Sequence, residues 1–208
     1  MTTNKNHWYD GWFFDRFIAP NQDRAFAQVK DLVEPGSTLL DVGCGTGRLG
    51  FQLAERCSRV DGIDLSLRNI DRARKNLRGR HFPNVSFSHA NVEDFFREHA
   101  ASYDYAVLSY VIHEIESEKR IGILIELSKH VDKIIAADYF WLRRDLLSGA
   151  IDNIVEFSAG KEHYRNFRSF MAEGGLPGLA KSSGLTIVHD IKDQVPHFHI
   201  MVLTGRNR

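Results

Sequence analysis

The sequence predicts an α/β fold built on a largely parallel sheet covered by helices on both faces. Three observations carry that prediction. Strand-like and helix-like segments alternate from residue 20 to about residue 140. The run Leu39-Leu40-Asp41-Val42 passes directly into Gly43-Cys44-Gly45-Thr46-Gly47, the order of a buried strand, a tight turn and a helix start. A second apolar run, Val60-Asp61-Gly62-Ile63, ends on Asp64, which lies 23 residues past Asp41, the length of one strand–helix–strand unit.

The elements follow in order. A helix is expected over Asn21–Val33, with Phe26, Val29 and Val33 on one face and Pro35-Gly36 ending it. The first strand is Thr38–Val42, and the helix after the glycine turn carries Leu49 and Leu53 one turn apart. The second strand is Arg59–Ile63. Ser66 suits the N-cap of the next helix, which turns Ile70, Ala73 and Leu77 inward and presents Arg68, Arg72, Arg74, Lys75, Arg78 and Arg80 outward. That basic row reads as a solvated outer face, with RNA contact as the competing reading. The third strand is Asn84–Ser88, followed by a short helix over Val92–Arg97, and the fourth strand is Tyr103–Ser109. Ser117 is expected to cap a helix through His130 with Ile121, Leu124 and Ile125 packed, and Lys133–Asp138 is an apolar fifth strand. Residues 139–183 read as helical pieces: one with Ile151, Ile154 and Val155, one with Phe167, Phe170 and Met171, and a last one opened by Pro177 and closed by Gly184. Strands over Leu185–His189 and His197–Thr204 complete the chain. No repeat, low-complexity tract or linker divides it, so residues 1–208 are expected to form a single domain.

Composition narrows the function. Lys plus Arg equals Asp plus Glu at 27 each, which argues against the basic excess of a nucleic-acid binder. Two cysteines, Cys44 and Cys57, are too few for a disulfide framework. The start Met1–Asn6 is polar, and no apolar run reaches the ~20 residues that span a bilayer. A cytoplasmic protein without a membrane span, acting as a monomer or homodimer, is expected.

The glycine turn departs from two common nucleotide devices. The dinucleotide fingerprint places its third glycine where this chain has Arg48, and the phosphate loop of nucleoside triphosphatases needs Lys-Ser or Lys-Thr after its last glycine. Three alternate glycines do allow bare backbone to meet a ligand, and an acid at the tip of the second strand can accept both hydroxyls of a ribose. The site therefore suits a nucleoside and lacks the means to hold a pyrophosphate.

Residues 39–50 together with 60–66 resemble the class I S-adenosylmethionine-dependent methyltransferases. Ala90-Asn91-Val92-Glu93-Asp94 and Tyr103-Asp104-Tyr105-Ala106-Val107-Leu108-Ser109-Tyr110 extend the likeness to the third and fourth motifs of that family. The resemblance implies a Rossmann-like seven-stranded sheet ordered 3-2-1-4-5-7-6 with the last strand antiparallel. It implies S-adenosyl-L-methionine as cofactor and S-adenosyl-L-homocysteine as product. It assigns the methionine part to the loop of Asp41, Gly43, Cys44, Gly45 and Gly47, the ribose to Asp64 with neighbouring Leu65, and the adenine to Asn91 and Val92. Cys44 then shapes the loop and takes no part in redox chemistry. The family usually has Asp where this chain has Asn91, whose side-chain oxygen can still accept a hydrogen bond from an amino group.

Methyl transfer asks the protein for alignment more than for covalent chemistry, so the catalytic signature is expected to be faint. The ligand crevice of an open α/β sheet lies beyond the carboxyl ends of its strands, which places Ser109-Tyr110-Val111-Ile112-His113-Glu114 at the site. His113 is the expected base or acceptor-positioning group, Ser109 lines the cofactor and Tyr110 the substrate. The Asn- or Asp-Pro-Pro-aromatic motif of amino-methylating enzymes is missing after the fourth strand, which disfavours amide and base-amine acceptors. Residues 1–20, with Trp8, Tyr9, Trp12, Phe13, Phe14 and Phe17, read as a lid, Tyr9 against the cofactor and Trp12 against the substrate. Residues 139–183 read as a helical cap in which His163, Tyr164 and Arg168 hold the substrate. His197 and His199 share a face of the last strand and read as structural, so no metal is expected. The function predicted is transfer of a methyl group to a small-molecule acceptor. An RNA or protein methyltransferase and a non-catalytic cofactor binder are the alternatives.

Overall fold

Burial alternates along the strands and sorts their side chains into two cores. The computed structural model describes residues 4–6, 22–139, 161–192 and 198–205. Its elements are α1 (Asp23–Leu32), β1 (Thr38–Val42), α2 (Arg48–Leu53), β2 (Arg59–Asp64), α3 (Leu67–Arg78), β3 (Val85–His89), α4 (Val92–Glu98), β4 (Tyr103–Ser109), a 3₁₀ turn (Ile112–Glu114), α5 (Ser117–His130), β5 (Val131–Tyr139), α6 (Lys161–Ala172), α7 (Gly175–Ser183), β6 (Thr186–Lys192) and β7 (Phe198–Thr204). The sheet runs β3-β2-β1-β4-β5-β7-β6. Its first five strands are parallel neighbours, and β7 pairs antiparallel with both β5 and β6. The order and the antiparallel last strand are those expected from the sequence.

Successive strand residues point to opposite faces. Leu39, Val107, Ile135, Ala137, Ile200 and Val202 join one core with α1, α2 and α3. Their neighbours Leu40, Ala106, Leu108, Ile134, Ala136, Met201 and Leu203 join the other with α4, α5 and α7. Strand segments buried on both sides must be apolar, which is why Tyr105–Leu108 of β4 and Ile134–Ala137 of β5 read as hydrophobic runs. The arginine row of α3 lies outward: Arg68, Arg74 and Arg78 are exposed, as is Arg80 just beyond the helix, while Ile70 and Ala73 are buried. Among the described residues no helix is long and apolar enough to cross a membrane.

Some local expectations change. Ser117 does not cap α5. Glu116 occupies the N-cap without a side-chain bond, and the Ser117 hydroxyl donates to Glu173 instead. Ile125 is 41% exposed, because it lies on the helix face opposite Leu124 and Leu127. The last cap helix begins at Gly175, after Gly174 takes a left-handed φ of 90°, so Pro177 sits inside its first turn and does not open it. β6 continues to Lys192 and is exposed along most of its length, as an edge strand. His199 is buried on β7 and pairs with Asp190 of β6 at 2.5 Å, a structural role; His197 lies outside the described residues.

Candidate functional site

The glycine turn sits at the carboxyl end of β1, and its shape is set by what surrounds it. Gly43, Gly45 and Gly47 all have positive φ, at 73°, 54° and 85°. Gly43 and Cys44 donate their amides to Ile63 O of the neighbouring strand, at 2.8 and 3.0 Å. A Cβ on Gly43 would lie 2.5 Å from Val111 Cγ2, and one on Gly47 would lie 2.5 Å from Phe87 Cζ. Glycine at these positions is therefore required by conformation and by space. Cys44 is buried under the turn, and burial lifts its thiol well above the usual range, which leaves it inert. Arg48 grips Asp23 with two hydrogen bonds, at 2.6 and 2.5 Å, and so ties α2 to α1. It serves the scaffold, where a dinucleotide site would need a glycine.

Two acids flank the turn and behave differently. Asp41 is 2% exposed, and burial, helped by the nearby charge of Asp64, pushes its carboxyl up to about 7. Asp64 is half-buried and accepts from two backbone amides, Gly45 N at 2.8 Å and Ser66 N at 2.7 Å. It thus latches the glycine turn to the start of α3. Among the described residues, Asp41 Oδ2 and Ser109 Oγ are buried and meet no hydrogen-bond partner. Buried polar atoms of this kind mark places where a bound polar group is wanted.

Residues 4–6 lie across the tip of β2. Lys5 N donates to Leu65 O at 2.9 Å, Asn6 Oδ1 accepts from Ser66 Oγ at 2.9 Å, and Asn4 Oδ1 accepts from Leu67 N at 3.1 Å. The Lys5 ammonium pairs with Glu162 of α6 at 3.1 Å, so this short segment bridges the β2 tip and the cap helix. Leu65 itself is exposed beside Asp64. Tyr9 and Trp12, with the rest of the proposed lid beyond residues 4–6, lie outside the described residues.

Asn91 has a role that the family likeness did not suggest. Its Oδ1 accepts the Asp94 amide at 2.7 Å and its Nδ2 donates to Asp94 Oδ2 at 3.1 Å, so it is the N-cap of α4. The Asn-x-x-Asp spacing, a variant of the capping box, was the available signal. Val92 is buried in the second core.

Beyond β4 the backbone is strained. Tyr110 has φ 56°, the one positive value on a non-glycine residue among the described residues. Such strain gathers at functional sites. Tyr110 N donates to Ala137 O at 2.7 Å, and the ring meets Tyr139 edge to face. The turn delivers His113 onto Asp138, the penultimate residue of β5. His113 Nδ1 and Asp138 Oδ1 are 2.7 Å apart, and His113 N donates to Asp138 Oδ2 at 3.2 Å. Both residues are at most 3% exposed. The carboxylate fixes the ring tautomer and turns Nε2 away from itself.

Helix α6 reaches the same place. His163, Asn166, Phe167 and Phe170 form its inner face at helical spacing. The His163 and His113 rings meet edge to face at 5.4 Å, and His163 Nδ1 stands 3.7 Å from Glu114 Oε1. Asn166 Nδ2 donates to Glu114 O at 2.9 Å. Arg120, buried in α5, donates to Ile115 O, Asn166 O and Ser169 Oγ and pairs with Glu173. Nothing in the sequence marked this clamp. Tyr164 and Arg168 do not join His163. They stack on each other, the guanidinium 6.0 Å from the ring centre, and Arg168 is exposed. The helical angle that turns His163 into the interior leaves Tyr164 half-buried and Arg168 exposed.

The comparisons agree with this geometry. Residues 39–133 match the family described as a methyltransferase domain. The fold resembles magnesium protoporphyrin IX methyltransferase from Synechocystis, solved with bound SAH, at 16% identity and a TM-score of 0.64 over 93% of this chain and 87% of that one. It also resembles N-methyltransferase NodS from Bradyrhizobium japonicum in complex with S-adenosyl-L-homocysteine, at 18% identity and a TM-score of 0.63 over 94% and 92% of the two chains. Among curated proteins, a tRNA (uracil-5-)-methyltransferase homolog A of Mus musculus is 42% identical over 62 residues, which are 30% of this chain and 10% of the relative. A ubiquinone biosynthesis O-methyltransferase of Aromatoleum aromaticum is 38% identical over 69 residues, 33% of this chain and 29% of the relative. The chain thus aligns with only a small part of these curated relatives' length.

Proposed function

We propose that this chain, a member of the class I S-adenosylmethionine-dependent methyltransferases, transfers a methyl group from S-adenosylmethionine to a small-molecule acceptor and releases S-adenosylhomocysteine. The residues fit the cofactor: bare glycine backbone, an acid at the tip of β2, and the buried, unsatisfied Asp41 Oδ2 and Ser109 Oγ are what a nucleoside with an amino-acid tail calls for. In this reading Asp41, Gly43, Cys44, Gly45 and Gly47 hold the methionine part. Asp64 and Leu65 hold the ribose, Asn91 and Val92 the adenine, and Ser109 lines the sulfur side. Asp64 and Asn91 keep lone pairs beyond those used on backbone amides, since a carboxylate offers about four and an amide oxygen two. Residues 1–20 act in this reading as a lid, Tyr9 against the cofactor and Trp12 against the acceptor, and residues 4–6 bond beside Asp64 at the tip of β2. The cofactor supplies a methyl group already activated by its positive sulfur.

The protein's remaining work is to hold the acceptor, exclude water and, where the acceptor carries a proton, take it. His113 is placed for this, with Asp138 orienting the ring and balancing the imidazolium that forms. The observation that carries a small acceptor is the enclosure of His113 by Tyr139, His163 and Phe167. In this reading the acceptor meets Nε2 among these rings, and a small molecule does so without the unstacking that a base in RNA requires.

Two observations favour RNA as a second reading: curated uracil methyltransferases match a short stretch of this chain, and α3 exposes Arg68, Arg74 and Arg78. The test is transfer of labelled methyl to a metabolite panel and, in parallel, to bulk tRNA. Labelling of a small acceptor, lost in His113→Ala, supports the proposal. Salt-sensitive labelling of RNA alone overturns it, and cofactor binding without any transfer points to a non-catalytic binder.

A further inference from the structure

We infer that His113, Glu114 and His163 form a site for a divalent transition-metal ion on the acceptor side of the crevice. One donor atom from each residue lies within 4.8 Å of one from each of the others. Two imidazoles and a carboxylate are the donor set of three-ligand zinc and non-haem iron sites, which keep an open position for water or substrate. Bonds of ~2.1 Å at a tetrahedral angle place two ligand atoms about 3.4 Å apart. His163 Nδ1 and Glu114 Oε1 already stand at 3.7 Å, too far for a good hydrogen bond and near the spacing of two atoms sharing an ion.

The surroundings supply the second observation. Asp138 engages His113 Nδ1 at 2.7 Å, so His113 would ligate through Nε2. A carboxylate behind a ligating histidine fixes the ring and raises its basicity. Asn166 holds the Glu114 carbonyl, and Arg120 holds both Asn166 O and Ile115 O, so the 3₁₀ turn and α6 are fixed against each other. Glu114 is 29% exposed in its side chain while the two histidines are buried, which leaves one open approach.

The site stands on its own geometry. Its use in catalysis rests on the methyltransferase reading: an acceptor hydroxyl or thiol binding at the open position loses its proton to solvent, the task His113 performs when no ion is present.

The experiment titrates zinc, and cobalt as a spectroscopic probe, into tag-free, chelator-treated full-length protein. We expect one ion per chain and visible ligand-field bands of low-symmetry cobalt. Glu114→Gln and His163→Gln each weaken binding at least as much as the ~10–100-fold cost of losing a supporting partner, which is the loss expected for Asp138→Asn. His130→Gln, at the C-terminal end of α5 and the far end of β5 from Asp138, leaves affinity unchanged. S-adenosylhomocysteine binding, measured on the same samples, reports folding and the methyltransferase reading separately. If His163→Gln fails to fold, the more exposed Glu114→Gln carries the test. Absent or sub-stoichiometric binding, or equal affinity in wild type and Glu114→Gln, overturns the inference.

Discussion

Replacing Asp41 with Asn should stabilise the ligand-free protein, and by an amount that depends on pH. Asp41 is fully enclosed at the end of β1, and its Oδ2 meets no hydrogen-bond partner among the described residues. Its carboxyl is displaced upward from 3.8 to about 7, by burial first and the Asp64 charge second. Folding therefore retains a proton that the unfolded chain releases. Stability is lost as pH rises above 3.8, and the loss is complete once pH passes about 7. At ~1.36 kcal/mol per pH unit, that gap sets an upper bound of roughly 4 kcal/mol. Asn has the same shape and no charge to desolvate. Its gain over wild type should be small near pH 4, climb to a few kcal/mol by pH 7–8, and then level off, raising the melting temperature by ~2–4 °C per kcal/mol at this chain length. Urea denaturation of both proteins at pH 4, 6 and 8 measures it. A gain that is the same at all three values, or a loss at pH 8, would refute the reasoning, because the charged carboxylate would then have partners worth more than its burial costs.

Asp64→Ala removes the acceptor shared by the Gly45 and Ser66 amides. It should weaken S-adenosylhomocysteine binding by about 1–3 kcal/mol in calorimetry, and unchanged affinity would contradict the ribose assignment. Gly62→Ala places a Cβ 2.6 Å from Phe87 Cδ1 and 2.9 Å from Cys44 Cβ. A loss of ~1–3 kcal/mol in chemical denaturation is expected from overpacking. Arg120→Ala strips donors from Ile115 O, Asn166 O and Ser169 Oγ. It should destabilise by at least ~2 kcal/mol and speed amide exchange at the α6 contact with the 3₁₀ turn. No change in either readout would mean that the clamp is dispensable.

What the sequence made legible follows from where the chemistry constrains the backbone. Three alternate glycines between an apolar run and a helix suit little besides a turn that faces a ligand, so the order of residues alone locates the turn, Asp41 and Asp64. The seven-strand order came with the family likeness carried by those residues. The cluster around His113 is built otherwise. His113 meets Asp138 from 25 residues away, and His163 reaches them because α6 packs on the 3₁₀ turn. Such meetings are tertiary, and neither residue announces its partner locally. A mixed polar and aromatic stretch does not say which side of a helix turns inward, so the sequence alone did not separate buried His163 from half-buried Tyr164 and exposed Arg168. Asn91 was legible through its spacing to Asp94, but its place in a cofactor motif masked the plainer duty of starting a helix.

The contacts beneath the glycine turn have a consequence for how this protein can diverge. Phe87 of β3 lies against both Gly47 and Gly62, and Val111 fills the space over Gly43. The floor of the glycine turn is therefore also the roof of the hydrophobic interior, and neither can be remodelled without the other. Mutational freedom falls instead to the wall formed by the 3₁₀ turn and the cap helix. A lineage that changes its acceptor would rewrite that wall and inherit the floor intact.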